Sequence, residues 1–324
     1  MKILHTADWH LGQTFYEYDR REEHFHFLEW LKQQIKQHEI DVLLIAGDVF
    51  DSPNPSAESQ RVYYRFLREV TSENPSLQIV IIAGNHDSAA RLEAPNPLLE
   101  DMNIIVRGTV RRNAEGDIDL QHFIVPLYTE GKVTAYCLAV PYLRQGDYPS
   151  AENYSKGVQQ LYEQLFNKVK EKGIPVVVMG HLQATGSEIS EDDRSERTVI
   201  GGLECVSPDA FNEAITYTAL GHLHRSQRVS HRENVRYSGT PMPMSFAEKN
   251  NASGVVMITI DTEGTNIEKL EFQPLAGLVS IPPEARPLEE VLQVIGELPD
   301  GDVTLRSPYL EIKILMTEPE PSYK

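Results

Sequence analysis

The sequence predicts an α/β fold in which two sheets pack together, and three observations lead there. Strands and helices alternate β-α-β-α-β through the first quarter of the chain, which favours a parallel sheet with helices on its faces. Several apolar strands run straight into short loops carrying Asp, Asn or His. From residue 217 to 272 strands dominate, more than one open sheet would take up.

In order, a strand over 2–6 leads into Asp8-Trp9-His10. A helix follows over 20–38, with Phe27, Leu28, Leu31 and Ile35 at i, i+3/i+4 spacing and Glu22 and Glu23 near its positive end. The strand 42–46 ends in Gly47-Asp48, and Pro53, Asn54 and Pro55 make a turn. Ser56 then caps a helix to residue 71. The strand 79–83 ends in Gly84-Asn85-His86-Asp87, and a helix over 91–101 is interrupted by Pro95 and Pro97. Turn signals at Gly108, 113–116 and Glu130-Gly131 divide 103–140 into short strands, expected to be antiparallel. A helix over 153–172 buries Val158, Leu161, Tyr162, Leu165, Phe166 and Val169 and stops at Gly173.

The strand 176–179 delivers Gly180-His181, and a polar segment over 183–197 reads as an exposed loop. The strand 217–220 delivers Gly221-His222-Leu223-His224, and strands are expected at 225–230, 234–237, 254–261 and 266–272. Met242, Met244 and Phe246 read as a core strand between them. Composition shifts at Gln273-Pro274, which divides the chain into domains 1–273 and 274–324. The second holds a strand (277–281), a helix (287–296) with Leu288, Val291 and Ile295 inward, a strand (309–315) and the tail 317–324.

With 324 residues, 40% apolar and 24% charged, the chain has an ordinary globular composition. No apolar run approaches the roughly 20 residues that cross a bilayer, and the N-terminus lacks a leader pattern, so a cytoplasmic protein is expected. Cys137 and Cys205 read as buried thiols. The net charge of −18 argues against a polyanion binder held by global charge, although metal ions can supply local positive field.

Brought together at strand ends, Asp8, His10, Asp48, Asn85, His181, His222 and His224 offer seven oxygen and nitrogen donors. Seven exceed one tetrahedral ion and suit two ions sharing a carboxylate, for which Asp48 stands alone at its strand end. Such a pair stabilises attacking and leaving oxygens in displacement at phosphorus. His86 is placed as acid or transition-state stabiliser, with Asp87 orienting its ring. One Asp-x-His or Gly-Asn-His-Asp alone would be ordinary turn chemistry; the series together is not. His5, His24, His26, His38, His122 and His231 lack such a setting and read as packing or surface residues.

These motifs, Asp8-x-His10, Gly47-Asp48, Gly84-Asn85-His86-Asp87, Gly180-His181 and Gly221-His222-x-His224, resemble the calcineurin-like metallophosphoesterase superfamily. The stretches around them, His5-Thr6-Ala7 through Leu11-Gly12, Val49-Phe50-Asp51 and Tyr237-Ser238-Gly239-Thr240-Pro241, are similar to the nuclease subunits of bacterial SbcCD complexes. The resemblance implies a four-layer α/β/β/α sandwich with a small α+β capping domain. It also implies two manganese ions, with magnesium, iron or zinc as substitutes. One ion falls to Asp8, His10, Asp48 and His224, the other to Asp48, Asn85, His181 and His222, and His86 becomes the catalytic histidine. The implied activity is double-strand exonuclease and single-strand or hairpin endonuclease action on DNA, in repair and recombination, with an SMC-like ATPase of the SbcC type.

Asp51 stands where archaeal and eukaryotic relatives place a histidine. The cap looks incomplete, so weakened ATPase binding is expected. A homodimer is expected through 56–71 and 91–101. Arg107, Arg111 and Arg112, and Arg225, Arg228, His231 and Arg232, could meet phosphates or form solvated strand faces. The rivals are a phosphodiesterase or phosphatase for small nucleotides, and a non-catalytic scaffold, on the same fold.

Overall fold

The computed structural model describes residues 1–187 and 205–316. Their elements are β1 (Lys2–Thr6), β2 (Thr14–Phe15), β3 (Tyr18–Asp19), α1 (Arg21–His38), β4 (Val42–Ala46), α2 (Ala57–Glu73), β5 (Gln78–Ile82), α3 (Ala89–Glu93), α4 (Asn96–Leu99), β6 (Ile104–Arg107), α5 (Leu120–Phe123), β7 (Ile124–Thr129) and β8 (Lys132–Ala139). There follow α6 (Tyr154–Val169), β9 (Val176–His181), β10 (Tyr217–Gly221), β11 (Gln227–Val229), β12 (Arg232–Tyr237), β13 (Gly254–Asp261), β14 (Gly264–Glu271), β15 (Leu278–Arg286), α7 (Leu288–Gly296) and β16 (Tyr309–Ile314).

Local chemistry sets several boundaries. Ser56 Oγ accepts the Ser59 N–H and starts α2, and Asn153 caps α6 the same way. Gly173, at φ 68°, ends the turn after α6. The two prolines split the expected helix at 91–101 into α3, α4 and a 3-10 turn.

Two six-stranded sheets result, one ordered β14-β13-β1-β4-β5-β6 and the other β11-β12-β10-β9-β8-β7. In the first, β1, β4, β5 and β6 are parallel, β13 runs antiparallel beside β1, and β14 forms a hairpin with β13. The expectation of antiparallel pairing over 103–140 is corrected in part. β6 joins β5 in parallel after the α3–α4 crossover, β7 and β8 form a hairpin, and β8 runs parallel to β9. Residues 242–246 are an irregular segment entering a 3-10 turn, not a strand.

Period-two alternation sorts the strand side chains into layers. Leu4, Leu43, Ile45, Ile79 and Ile81 pack on Phe27, Leu31, Phe66 and Leu67 of α1 and α2. Their neighbours Ile3, Val42, Leu44, Val80 and Ile82 meet Val125, Cys137, Val177 and Met179 of the second sheet. The far face of that sheet, Leu138, Val178 and Leu220, packs on Val158, Leu161 and Leu165 of α6. The order is helix, sheet, sheet, helix, and each buried Leu or Ile contributes about 1.5–3 kcal/mol.

The strands β15 and β16 pair in parallel with α7 against them. Of the inward residues expected on α7, Val291 is buried, but Leu288 is 51% exposed because a two-stranded sheet covers only one side of the helix. Cys137 is buried; Cys205 is exposed, contrary to expectation. Most of the polar segment expected at 183–197, and the tail, lie outside the described residues. No helix among the described residues is long and apolar enough to cross a membrane.

Candidate metal centre

The parallel strands β1, β4, β5, β9 and β10 end on one edge of the sandwich, and their following loops converge there. Backbone bonds zip two of these loops together: Asp8 N–H to Gly47 O, His10 N–H to Asp48 O and Leu11 N–H to Val49 O, at 3.0, 3.0 and 2.9 Å. The ladder is continued past the strands with the backbone turned over. Asp8, His10, Asp48 and His222 sit at φ 56°, 47°, 48° and 101°, a region costly for side chains other than glycine. Gly84 has no choice of residue, since a Cβ there would collide with the Asp48 carboxylate and backbone nitrogen.

Three donor groups form. Asp8, His10 and His224 bring ligand atoms within 4.8 Å of one another, as do Asp8, Asp48 and His181, and also His10, Asp51 and His86. Asn85 Oδ1 lies 2.9 Å from His181 Nε2 and 3.0 Å from His222 Nδ1, and His181 Nε2 is 3.2 Å from Asp48 Oδ2. That oxygen is buried without a hydrogen bond. Lone pairs crowded together in this way are stabilised by a cation between them, and carboxylate, amide and imidazole donors suit divalent metals from magnesium to zinc.

The ring orientations agree. His181 Nδ1 faces the Ala46 carbonyl at 2.8 Å, so it carries the hydrogen and leaves the Nε2 lone pair toward the cluster. His224 Nδ1 meets Glu248 Oε1 at 2.9 Å, which likewise directs Nε2 as the ligand atom. Burial raises the Asp8 carboxyl to about 6. Burial also pushes Asp48 up, but the adjoining His181 and His10 imidazoles outweigh it and hold that carboxyl well below its usual range. Burial lowers His181 while the Asp48 charge raises it, to about 10 overall. The carboxylates thus demand positive charge, and a metal ion would displace the His181 proton that otherwise supplies it.

All seven expected donors come together, with His86 beside them: its N–H donates to Asp48 Oδ1 at 2.8 Å. Asp87, expected to orient the His86 ring, is bonded to backbone. Its buried carboxylate accepts the N–H groups of Val49, Phe50 and Gly84 at 3.2, 3.0 and 2.9 Å, clamping two loops. The His86 ring meets Asp51, whose carbonyl is 2.9 Å from Nδ1. The Asp51 side chain, 3.3 Å from His10 Nδ1, fills the position noted as a departure.

Two supporting residues escaped the sequence reading. Glu248 grips His224, and Thr240 Oγ1 donates to the Asp8 carbonyl at 2.9 Å. Glu248 carries no motif of its own and meets His224 only across the fold. Both basic groups are engaged internally at several members. Arg111 pairs with Glu93, Arg107 bonds the His122 carbonyl, Arg228 pairs with Glu233, and Arg232 bonds the Pro208 and Phe211 carbonyls.

The model of the calcineurin-like phosphoesterase family matches residues 1–226. The SbcD component of the SbcCD nuclease from Rhodobacter capsulatus is 38% identical over 311 residues, covering 92% of this chain and 76% of that one. The chain belongs to the SbcD family. The Escherichia coli K12 member is 32% identical over 296 residues, covering 86% of this chain and 70% of its own, and the Bacillus subtilis member 30% over 276, covering 80% and 66%. As an SbcD-family calcineurin-like phosphoesterase, the chain is a phosphodiester hydrolase that uses divalent metal.

Proposed function

We propose that this SbcD-family chain is a manganese-dependent DNA nuclease, cutting duplex ends exonucleolytically and single strands or hairpins endonucleolytically, together with an SMC-like ATPase. The observation that carries it is the convergence of seven donor side chains at one edge of the sandwich in a chain 38% identical to an SbcCD nuclease component. Asp8, His10, Asp48 and His224 would hold one ion, and Asp48, Asn85, His181 and His222 the other. Two such ions supply a hydroxide nucleophile near neutral pH and stabilise the attacking and leaving oxygens.

The chain's own residues do the rest. Asn85, His86 and His222, with Asp51 beside them, are the half-buried members of the cluster, so the phosphodiester enters from their side. Because a carbonyl only accepts, His86 Nδ1 donates to Asp51 O, and Nε2 is the nitrogen that meets the leaving oxygen. Glu248 and the Ala46 carbonyl hold His224 and His181 in their tautomers. Residues 1–273 form the catalytic domain, and the β15–α7–β16 unit caps the DNA. Dimerisation through 56–71 and 91–101 is supported by Leu98, 75% exposed on α4; a monomer by light scattering at micromolar concentration would refute it.

The deciding assay is cleavage of end-labelled hairpin and linear duplex DNA with manganese or magnesium, with His86→Ala as control. Cleavage with manganese, slowed at least about a hundredfold in the variant, is expected. Hydrolysis of a cyclic nucleotide with DNA left intact would instead establish a small-nucleotide phosphodiesterase.

A further inference from the structure

Resting on that metal-centre reading, we propose that the buried Arg20–Glu23 ion pair, tied to the C-terminal unit by Tyr309, positions one of the two ions selectively. The ion concerned is the one that Asp8, His10 and His224 would share.

Arginine is seldom fully buried, yet Arg20 is 1% exposed and Glu23 4%. The pair is bidentate, with Nε to Oε1 at 2.9 Å and Nη2 to Oε2 at 2.8 Å, and the guanidinium lies 5.2 Å over the Phe15 ring. A buried ion pair is often no more stabilising than packed apolar residues, so its value here lies in the geometry its remaining donor imposes. Arg20 Nη1 donates to Gln13 Oε1 at 3.2 Å and to the Pro243 carbonyl at 2.6 Å.

Each contact leads to a member of the same donor group. The Gln13 N–H bonds the His10 carbonyl at 2.9 Å, closing the turn behind that ligand. Pro243 precedes Met244, whose N–H is held 2.7 Å from Glu248 Oε2 while the other oxygen grips His224. Directly after Glu23 in α1, His24 Nε2 lies 3.1 Å from the carbonyl of Trp9, between Asp8 and His10. The opposite group has holds of its own on its rings, His181 by the Ala46 carbonyl and Asn85 and His222 by Asn85, and only the His222 backbone N–H reaches across to the Asp8 carboxylate.

Glu23 Oε1 also accepts the Tyr309 hydroxyl at 3.0 Å, across 286 residues of sequence. Tyr309 lies on β16, with its ring 4.8 Å from Phe15. The seating of the C-terminal unit is therefore transmitted through Glu23 and Arg20 to one ion's ligands.

The test is manganese binding to the full chain by calorimetry and by electron paramagnetic resonance, which separates coupled from single ions. Wild type should bind two ions. Glu23→Gln should raise the Kd of one by about 10–100-fold, the usual effect of losing an outer support of a ligand, leaving the other within twofold. Tyr309→Phe, losing one hydroxyl, should shift the same ion about threefold to tenfold. It carries the test alone if Glu23→Gln fails to fold. Equal weakening of both ions, or no change in either variant, overturns the positioning role while leaving the metal centre intact. A wild-type chain that takes up no manganese overturns the metal reading and this role with it.

Discussion

Replacing Asp87 with alanine separates a structural carboxylate from a catalytic one. Its two oxygens are the acceptors for three buried N–H groups, those of Val49, Phe50 and Gly84, at 3.2, 3.0 and 2.9 Å. Asp87 is 1% exposed, so water does not readily replace it in the intact fold. A buried donor left without a partner costs about 1–3 kcal/mol. Three give about 3 kcal/mol even at the low end, against a total stability of about 5–15 kcal/mol for a typical domain. Urea denaturation of metal-free Asp87→Ala should therefore show its midpoint markedly lowered with an unchanged slope. His86→Ala, in contrast, should keep the midpoint while losing turnover. A loss below about 1 kcal/mol in Asp87→Ala, accompanied by loss of turnover, would refute the clamp and return Asp87 to a catalytic role.

Other outcomes follow from the same geometry. His86→Ala should lower kcat on DNA by about 10²–10⁴-fold, the range for a positioned proton donor, in steady-state cleavage assays. Manganese at 100 times its Kd should raise unfolding free energy by about 2.7 kcal/mol per ion, and a chelator should reverse this in thermal melts. Burial, joined for His24 by the Arg20 charge, lowers His5 to about 3 and His24 to about 4, although neighbouring carbonyls act the other way. Both rings take up protons more readily unfolded than folded. Their contribution is thus complete above the unfolded value of 6.5 and is lost as pH falls toward 4 and 3, on the order of 3 kcal/mol for His24. Urea midpoints measured from pH 7 to 4 should fall accordingly, and His24→Asn should flatten the profile. Gly84→Ala should abolish metal uptake, read by calorimetry, because its Cβ would occupy the place of the Asp48 carboxylate.

The strands that carry the ligands were legible because each is a short apolar run, buried on both faces, ending in Gly or a donor residue. Val42 to Ala46 is buried at every position, as a sheet covered on both sides requires. Pairing across the chain was less visible. Nothing local in the Gly254 to Glu271 hairpin says that β13 returns to β1, because that register depends on a partner some 250 residues away. The same holds at the site. The donors are named by their motifs, whereas Glu248 and the Asp51 carbonyl act through proximity that only folding creates. For Asp87, adjacency to His86 suggests a partnership, while its bonds to the N–H groups of Val49, Phe50 and Gly84 join loops that only folding brings together. Leu288 shows another limit: amphipathic spacing identifies a helix face without saying how much of it a small sheet can cover.

The left-handed backbone at Asp8, His10, Asp48 and His222 sets stability against chemistry at the same positions. Glycine would relax each of them at the cost of a donor, with strain of the order of 1–3 kcal/mol per residue available for relief. Selection for thermal tolerance in the absence of metal should consequently accumulate glycine at His10 and His222 before Asp8 and Asp48, whose carboxylates accept the N–H groups of His222 and His86, yielding chains that withstand heat better and cleave nothing. Only selection that includes metal and substrate would hold these four side chains in place.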